Sequence, residues 1–363
     1  MKVTVLQENL YPKLSAVVKF ASSKAALPVL ENILIQAEKG VLRLSATDLE
    51  TGVRTTVGAK VEKEGGLTVP ARLLVSLIGN LPAGKITLSA EKDILSIAAE
   101  GFTSKINGLS AAEFPSFAAE GKPLFTVPAQ DFADAVGQVS FAAAQDESRP
   151  ILTGLMLKLA EGELTVVGVD GFRLAEKRIK TAGEEFSVVV PARSLVELTR
   201  LMDGDLKVRH SKDGQLIFQS DDFQAFAQSL EGEFPEYEQI IPPNFETRID
   251  FSKEDLVKAV QLSSIFSDGG VGVVVLKQDP AKKKMVVSSQ ESEVGEAQSS
   301  LPISGEGKAG TIAFNSRYLT DALAALRGDN ISLSMNSALD PVMFSYPKDK
   351  SYLHVVMPVR LQE

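Results

Sequence analysis

The chain contains no cysteine, so disulfide frameworks, thiolate nucleophiles and cysteine metal sites are all excluded. It has just two histidines, His210 and His354, each in a predicted strand region and without His-x-x-x-His spacing, so no metal site is expected. No apolar run approaches the roughly 20 residues needed to span a bilayer, and no membrane association is expected. The opening "MKVTVLQENLYP" is polar where a signal peptide carries its apolar core, which predicts a cytoplasmic location. Nucleotide motifs are equally scarce. "GGVGVVV" at 269–275 has Val275 where a dinucleotide fingerprint needs its third glycine, and "SGEGKAGT" at 304–311 has Ala309 where a phosphate loop needs Ser or Thr. There is no Gly-x-Ser-x-Gly elbow. The formal sequon Asn330-Ile331-Ser332 means nothing without secretion. No cofactor and no catalysis are expected.

A positive balance is also lacking. Lys and Arg number 38 against 47 Asp and Glu, a net charge of −9 with a pI near 5.1. Taken as a sum this argues against nucleic acid, which is bound through Lys and Arg. A sum does not say where the charges sit.

What the sequence does contain is repetition. "VPAR" occurs at 69–72 and again at 190–193, 121 residues apart in a chain of 363. At nearly the same offset "ALPVLENILIQ" (26–36) meets "RPILTGLMLKL" (149–159), and Asp48 of "SATDLE" meets Asp170 of "VGVDGF". Phe114-Pro115 likewise meets Phe234-Pro235. A period of this length is a domain duplication rather than a solenoid. A more diverged third copy is visible in "GTIAFNSRYLTDALAAL" (310–326), where Asn315-Ser316-Arg317 replaces Pro-Ala-Arg, and in "VVMPVRL" (355–361). The prediction is an α+β chain of three tandem domains, 1–120, 121–243 and 244–363, with linker-like "AAEGKP" (118–123) and "IIPPNFETR" (240–248) at the joins.

Within each domain the periodicity predicts two βαβββ units. The first unit reads as a strand at 2–6 and a helix apolar at Leu10, Leu14, Val17 and Val18. Strands follow at 32–38, 41–46 and 52–58. The second has a strand ending at Val69 and a helix from Ala71 to Asn80, apolar at Leu73, Leu74, Leu77 and Ile78. Its strands lie near 85–90, 94–99 and 103–108. The corresponding helices of the later domains carry Phe132, Val136 and Val139; Leu195, Leu198 and Leu201; Leu256 and Val260; and Leu319, Leu323 and Leu326. Pro70 and Pro191 fit a strand-to-helix junction, since proline in a first helical turn forfeits no hydrogen bond. The arginine needs another explanation. Lys13, Lys19, Arg72, Arg193, Arg200, Lys253, Lys258, Arg317 and Arg327 fall on the non-core faces of the predicted helices, with Lys24 on the loop after the first. Glu161, Glu163, Glu184, Glu185, Asp221, Asp222, Glu236 and Glu238 fall in loops and hairpin tips. A charged helix face is ordinarily a solvated face, but the recurrence of one arginine in three domains is not required by solvation.

"LPVLENILIQ", "TDLE", "TVPAR", "AAEFPSF", "VDGFRLA", the second "VPAR", "EGEFPEY" and "VVMPVRL", in this order over the whole chain, resemble the bacterial sliding clamps, the beta subunits of DNA polymerase III. The resemblance implies a head-to-tail homodimer whose six domains close a ring around double-stranded DNA, helices inside and sheets outside. It implies sequence-independent DNA contacts from Lys13, Lys19, Lys24, Arg72, Arg149, Arg193, Arg200, Lys253, Lys258 and Arg317. It places Ile265 and Phe266 at the dimer interface. It also implies a pocket for a short extended peptide with glutamine and apolar anchors, presented by the replicative polymerase, the clamp loader, other polymerases and repair proteins. By position the pocket comprises Leu152, Val169, Gly171, Phe172, Arg173, Leu174, Pro235, Ile240, Asn315, Tyr318, Leu339, Val355, Met357, Pro358, Val359, Arg360 and Leu361, aliphatic walls with arginine and amide groups to orient a ligand. Phe172 stands where histidine is common in the family, Gln239 where arginine is common, and Val271 where a larger aromatic is found; Gln362-Glu363 extends past the usual terminal leucine. The rival reading is a protein-interaction scaffold of the same fold that never meets DNA, and a topology test separates the two.

Overall fold

The computed structural model describes residues 1–22, 27–116, 120–266, 272–289 and 295–361. Its α-helices are α1 (Gln7–Val17), α2 (Ala71–Gly79), α3 (Ala129–Val139), α4 (Ala192–Thr199), α5 (Lys253–Ser264) and α6 (Ser316–Ala325). Each buries one narrow stripe. In α1 that stripe is Leu10, Leu14 and Val17, and in α2 it is Ala71, Leu74 and Ile78. Leu73, expected in the core, is 51% exposed, because a residue one step from Leu74 is rotated about 100° around the helix. Val18 begins a separate 3₁₀ turn (Val18–Phe20), and Leu201 lies beyond the end of α4. Among the described residues no helix is long and apolar enough to cross a membrane.

Two compact units share the chain. The first comprises Met1–Ala133, Thr181–Phe186 and Arg193–Ser229. It holds a five-stranded sheet in the order Lys60–Lys63, Lys2–Leu6, Lys85–Glu91, Ile94–Ala99, Phe102–Asn107. Its nine-stranded sheet runs Leu109–Ser110, Gly65–Pro70, Asn32–Glu38, Val41–Thr47, Thr51–Gly58, Phe223–Gln228, Gln215–Ser220, Asp205–His210, Lys122–Pro128. The second unit comprises Asp134–Lys180, Ser187–Ala192 and Leu230–Glu363. Its own nine-stranded sheet runs Phe186–Pro191, Gly154–Ala160, Glu163–Val169, Arg173–Lys180, Asp349–Val356, Val342–Tyr346, Asn330–Met335, Thr247–Ser252, Ser304–Glu306. A four-stranded sheet completes it: Gln298–Pro302, Lys284–Ser289, Val273–Asp279, Gly310–Asn315. The short strands Lys60–Lys63, Leu109–Ser110 and Ser304–Glu306 have no counterpart in the sequence prediction.

The βαβββ units interlock. Lys2–Leu6, which precedes α1, pairs with Lys85–Glu91 of the second unit, while Gly65–Pro70, which precedes α2, pairs with Asn32–Glu38 of the first. The same exchange recurs in the central repeat, Lys122–Pro128 with Asp205–His210. It recurs in the last, Thr247–Ser252 with Asn330–Met335 and Gly310–Asn315 with Val273–Asp279. Neither half of a domain can therefore complete its sheet alone.

The joins between domains are ladders too. Thr51–Gly58 pairs with Phe223–Gln228, bringing Thr55 opposite Phe223, and Arg173–Lys180 pairs with Asp349–Val356, bringing Arg173 opposite Val356. Sequence periodicity within a strand reports which face is buried, not which distant strand lies beside it, so these pairings are invisible to it.

Candidate functional site

The helix starts position the recurring arginine. Pro70 and Pro191 are the last residues of their strands, and Arg72 and Arg193 are the second residues of α2 and α4. In the third copy Asn315 caps α6 instead, its Oδ1 accepting from the Arg317 amide at 2.9 Å, and Arg317 is again the second helical residue. Arg72, Arg193 and Arg317 are all exposed, and among the described residues none has a carboxylate within ion-pair distance. Arg317 Nη2 has one long contact, 3.5 Å to Gln145 Oε1.

Four of the other basic candidates, Lys19, Arg200, Lys253 and Lys258, are less free. Glu197 on α4 accepts from both Lys19 at 2.8 Å and Arg200 at 2.7 Å. Lys258 pairs with Glu254 one turn before it. Lys253 Nζ donates to the Leu326 carbonyl, the residue that caps α6, so its charge is held at a helix C-terminus. Lys13 is half-buried on α1, Arg149 is exposed ahead of the 3₁₀ turn Pro150–Thr153, and Lys24 lies outside the described residues. Ile265, at the end of α5, is 71% exposed, and Leu262 beside it is 53% exposed; Phe266 is half-buried.

In the second unit a groove of about 260 Å³ is lined by Val169, Gly171, Phe172, Arg173, Leu174, Ile240, Pro341, Val355 and Met357. Its floor is continuous with a core cluster of Met156, Val167, Val189 and Tyr237, against which Phe234 and Ile240 pack. Asp170 builds the turn at its edge. One carboxylate oxygen accepts from the amides of Phe172 and Arg173, both at 2.9 Å. Asp48 plays the same part in the first repeat, accepting from Glu50 and Thr51. The residue after each aspartate has positive φ, +79° at Leu49 and +91° at Gly171. The repeated aspartate is thus a turn former, and what differs is the residue three positions on, Thr51 in one copy and Arg173 in the other.

Arg173 is held by two carboxylates. Its Nε donates to Asp170 Oδ2 at 2.9 Å and its Nη1 to Asp321 Oδ2 on α6 at 2.6 Å, with the side chain 3% exposed. The guanidinium carbon lies 4.4 Å from the Tyr318 ring and 5.3 Å from the Phe141 ring. Phe172 stacks on Tyr318, centroids 6.4 Å apart. Desolvation, then the nearby Asp170 carboxylate, raises the Tyr318 pKa. Behind the cluster His354 is fully buried against Phe141 at 5.2 Å, and burial, with Arg173 adding to it, pushes its pKa down to about 3. Of the arginine and amide groups expected to orient a ligand, Arg173 and Asn315 also have partners within the protein. Both hold the protein's own turn and helix cap.

The tail "MPVRL" is pinned along the groove: the Met357 amide donates to the Phe172 carbonyl and the Val359 amide to the Ala313 carbonyl, each at 2.8 Å, with Pro358 between them. Leu152 is buried in the 3₁₀ turn Pro150–Thr153, while Pro235 is half-buried just ahead of Tyr237–Ile240. Leu339, Arg360 and Leu361 are exposed, and Val271 and Gln362-Glu363 lie outside the described residues. Sequence reasoning missed Pro341 and Asp321. The only signal for Asp321 was its spacing, three residues after Tyr318 and so on an adjoining face of one helix.

Models of the DNA polymerase III beta subunit match three consecutive stretches, the N-terminal domain over 1–118, the central domain over 126–236 and the C-terminal domain over 238–360. A beta sliding clamp from Synechocystis is 32% identical over 391 residues, covering 99% of this chain and 100% of the relative. One from Bacillus subtilis is 27% identical, covering 99% and 100%. The solved beta subunit of Thermotoga maritima superposes with a TM-score of 0.91 at 27% identity over 99% of this chain and 100% of that one. The Pseudomonas aeruginosa sliding clamp bound to griselimycin gives 0.93 at 25% identity over 99% and 100%. With three tandem clamp domains and matches along its whole length, the chain belongs to the bacterial DNA polymerase III beta subunit family, the sliding clamps.

Proposed function

We propose that two copies of this chain close head to tail around duplex DNA and tether the replicative polymerase and other partners to it, as a processivity factor without catalysis of its own. The observation that carries this reading is the exposed arginine at the second position of α2, α4 and α6, repeated in an acidic chain. Cations at equivalent places on three helices suit a phosphate backbone that repeats regardless of base sequence, and contacts of that kind permit sliding. The acidic remainder of the surface limits adhesion elsewhere.

Closure of the ring is supported by two sheet edges that have no partner strand among the described residues. Phe102–Asn107 ends the five-stranded sheet of the first unit, and Gln298–Pro302 ends the four-stranded sheet of the second. Near the first lie exposed Ile94 and Phe102; the second packs on α5, which ends in exposed Leu262 and Ile265. An exposed strand edge is a template for pairing with another chain, and apolar side chains beside it exclude water from that pairing. The groove of the second unit is the proposed seat for the peptides of polymerases, clamp loader and repair proteins, with Phe172, Ile240, Val355 and Met357 as its apolar walls.

The test is topological. The protein is loaded on nicked circular DNA and the circle is then cut. A ring slides off the new ends, so release on linearisation is expected. Equal retention on both forms, or none on either, overturns the reading in favour of a scaffold or an ordinary DNA binder.

A further inference from the structure

The charge around the groove is not what its apolar lining suggests. The segment leading to the Ile240 wall carries Glu231, Glu233 and Glu236, all exposed, and exposed Asp340 precedes Pro341 on another wall. Two of the bases nearby are matched, Lys158 at 3.4 Å from Glu238 and Arg178 at 2.7 Å from Glu176. Arg317, next to Tyr318 on α6, is exposed and has no carboxylate partner among the described residues, so the rim acids outnumber the free cations rather than standing alone. Arg173 is shared by the carboxylates of Asp170 and Asp321, so its own charge is offset within the cluster. Exposed Arg360, past Met357, is the sole cation in the tail. A ligand entering this groove meets an acidic rim.

The rim surrounds an aromatic face that is held in place. Phe172 is 60% exposed. Its amide is fixed by Asp170 and its carbonyl by the Met357 amide, while its ring rests on Tyr318, whose position is set by the Arg173 guanidinium. A flat, exposed π face within a field of carboxylates attracts a cation on two counts, through the ring quadrupole and through the surrounding charge.

We propose that the segment this groove accepts carries a lysine or arginine beside its apolar anchors, with the cation lying against Phe172 inside the acidic rim. The inference rests on the reading of the groove as a partner-peptide site and adds to it the chemical class of peptide that this chain selects. Acidic-flanked peptides, which the rim repels, are disfavoured. Leu339 and Leu361, both exposed, extend the apolar surface for the anchors.

The test uses two short fluorescent peptides with the same glutamine and leucine anchors, one flanked by lysines and one by aspartates, titrated with the full-length protein and followed by anisotropy. At low salt the lysine peptide binds about tenfold more tightly, and the difference shrinks at high salt as the rim is screened. The pair Glu236→Gln with Asp340→Asn removes part of the difference while a neutral-flanked peptide still binds, and Phe172→Ala, which removes a groove wall, weakens every peptide but the lysine peptide most. Equal affinities, or tighter binding of the aspartate peptide, overturn the inference and leave the partner site standing. If no peptide binds, the partner-site reading falls and this inference with it.

Discussion

The Arg173 guanidinium and the Asp321 carboxylate meet at 2.6 Å, tying the strand Arg173–Lys180 to helix α6 beneath the groove. Because Asp170 holds the other edge of the same guanidinium, the three side chains form one unit, and removing the cation strands two poorly solvated carboxylates. Arg173→Ala should cost about 3 kcal/mol in stability, read as a lower urea midpoint at unchanged slope. Arg173→Lys should not restore it, because a single ammonium cannot reproduce the planar fork or the stacking on Tyr318. Asp321→Asn, at a site 30% exposed, should cost about 1 kcal/mol.

His354 makes stability depend on pH. Both ring nitrogens lack a partner among the described residues, and the pKa is pushed down to about 3, so the folded state keeps the ring neutral. The unfolded chain binds a proton below about pH 6.5, where the folded chain does not. Stability is therefore complete above that pH and falls as the pH drops toward 3, by about 1.4 kcal/mol per pH unit from this group. His354→Leu should flatten the melting temperature between pH 6.5 and 5, and should be neutral or stabilising at pH 7.5 because no hydrogen bond is lost. An unchanged slope in the variant would assign the acid sensitivity to other groups.

Much of this architecture was legible in residues and some of it was not. The recurrence of Pro-Ala-Arg located two helix starts, and Asn-Ser-Arg, aligned with it, located the third, where Asn315 accepts the Arg317 amide as a cap that Pro70 does not provide at α2. The alignment of Asp48 with Asp170 marked a turn that recurs with nearly the same φ. The exchange of strands between half-domains left no trace, since a strand with one buried face reads the same whichever neighbour it pairs with. Asp321 was hidden for a different reason: it looks like any solvated acid on a helix until Arg173 is brought to it from 148 residues away. The burial of His354 was equally unreadable, because the strand Asp349–Val356 is enclosed by elements distant in sequence.

The basic side chains divide into two groups with different expected phenotypes. Arg72→Ala, Arg193→Ala and Arg317→Ala should each weaken DNA association evenly across sequences and lower the slope of log K against log salt by about one. Lys253→Ala should instead lower stability, because its ammonium serves the Leu326 carbonyl, and leave the salt slope nearly intact. A salt titration paired with a melting curve for each variant separates the groups. If Arg72, Arg193 and Arg317 all leave the slope unchanged, the helix faces they mark do not meet phosphate.

Ile265 offers the sharpest test of assembly. It is 71% exposed at the C-terminal end of α5, where a side chain of that size gains nothing from solvent. Burial of one isoleucine contributes about 2 kcal/mol, and a carboxylate in its place adds a desolvation cost at the interface. Ile265→Asp should shift the protein from dimer toward monomer in sedimentation, with the folded monomer retaining its melting temperature because the residue makes no core contact of its own. Met357→Asp, by contrast, sits in the groove and should leave the sedimenting mass unchanged while abolishing stimulation of the polymerase. Should Ile265→Asp sediment as the parent does, the end of α5 is not where the two copies meet, and the sheet edges Phe102–Asn107 and Gln298–Pro302 would have to be tested directly by placing proline in each.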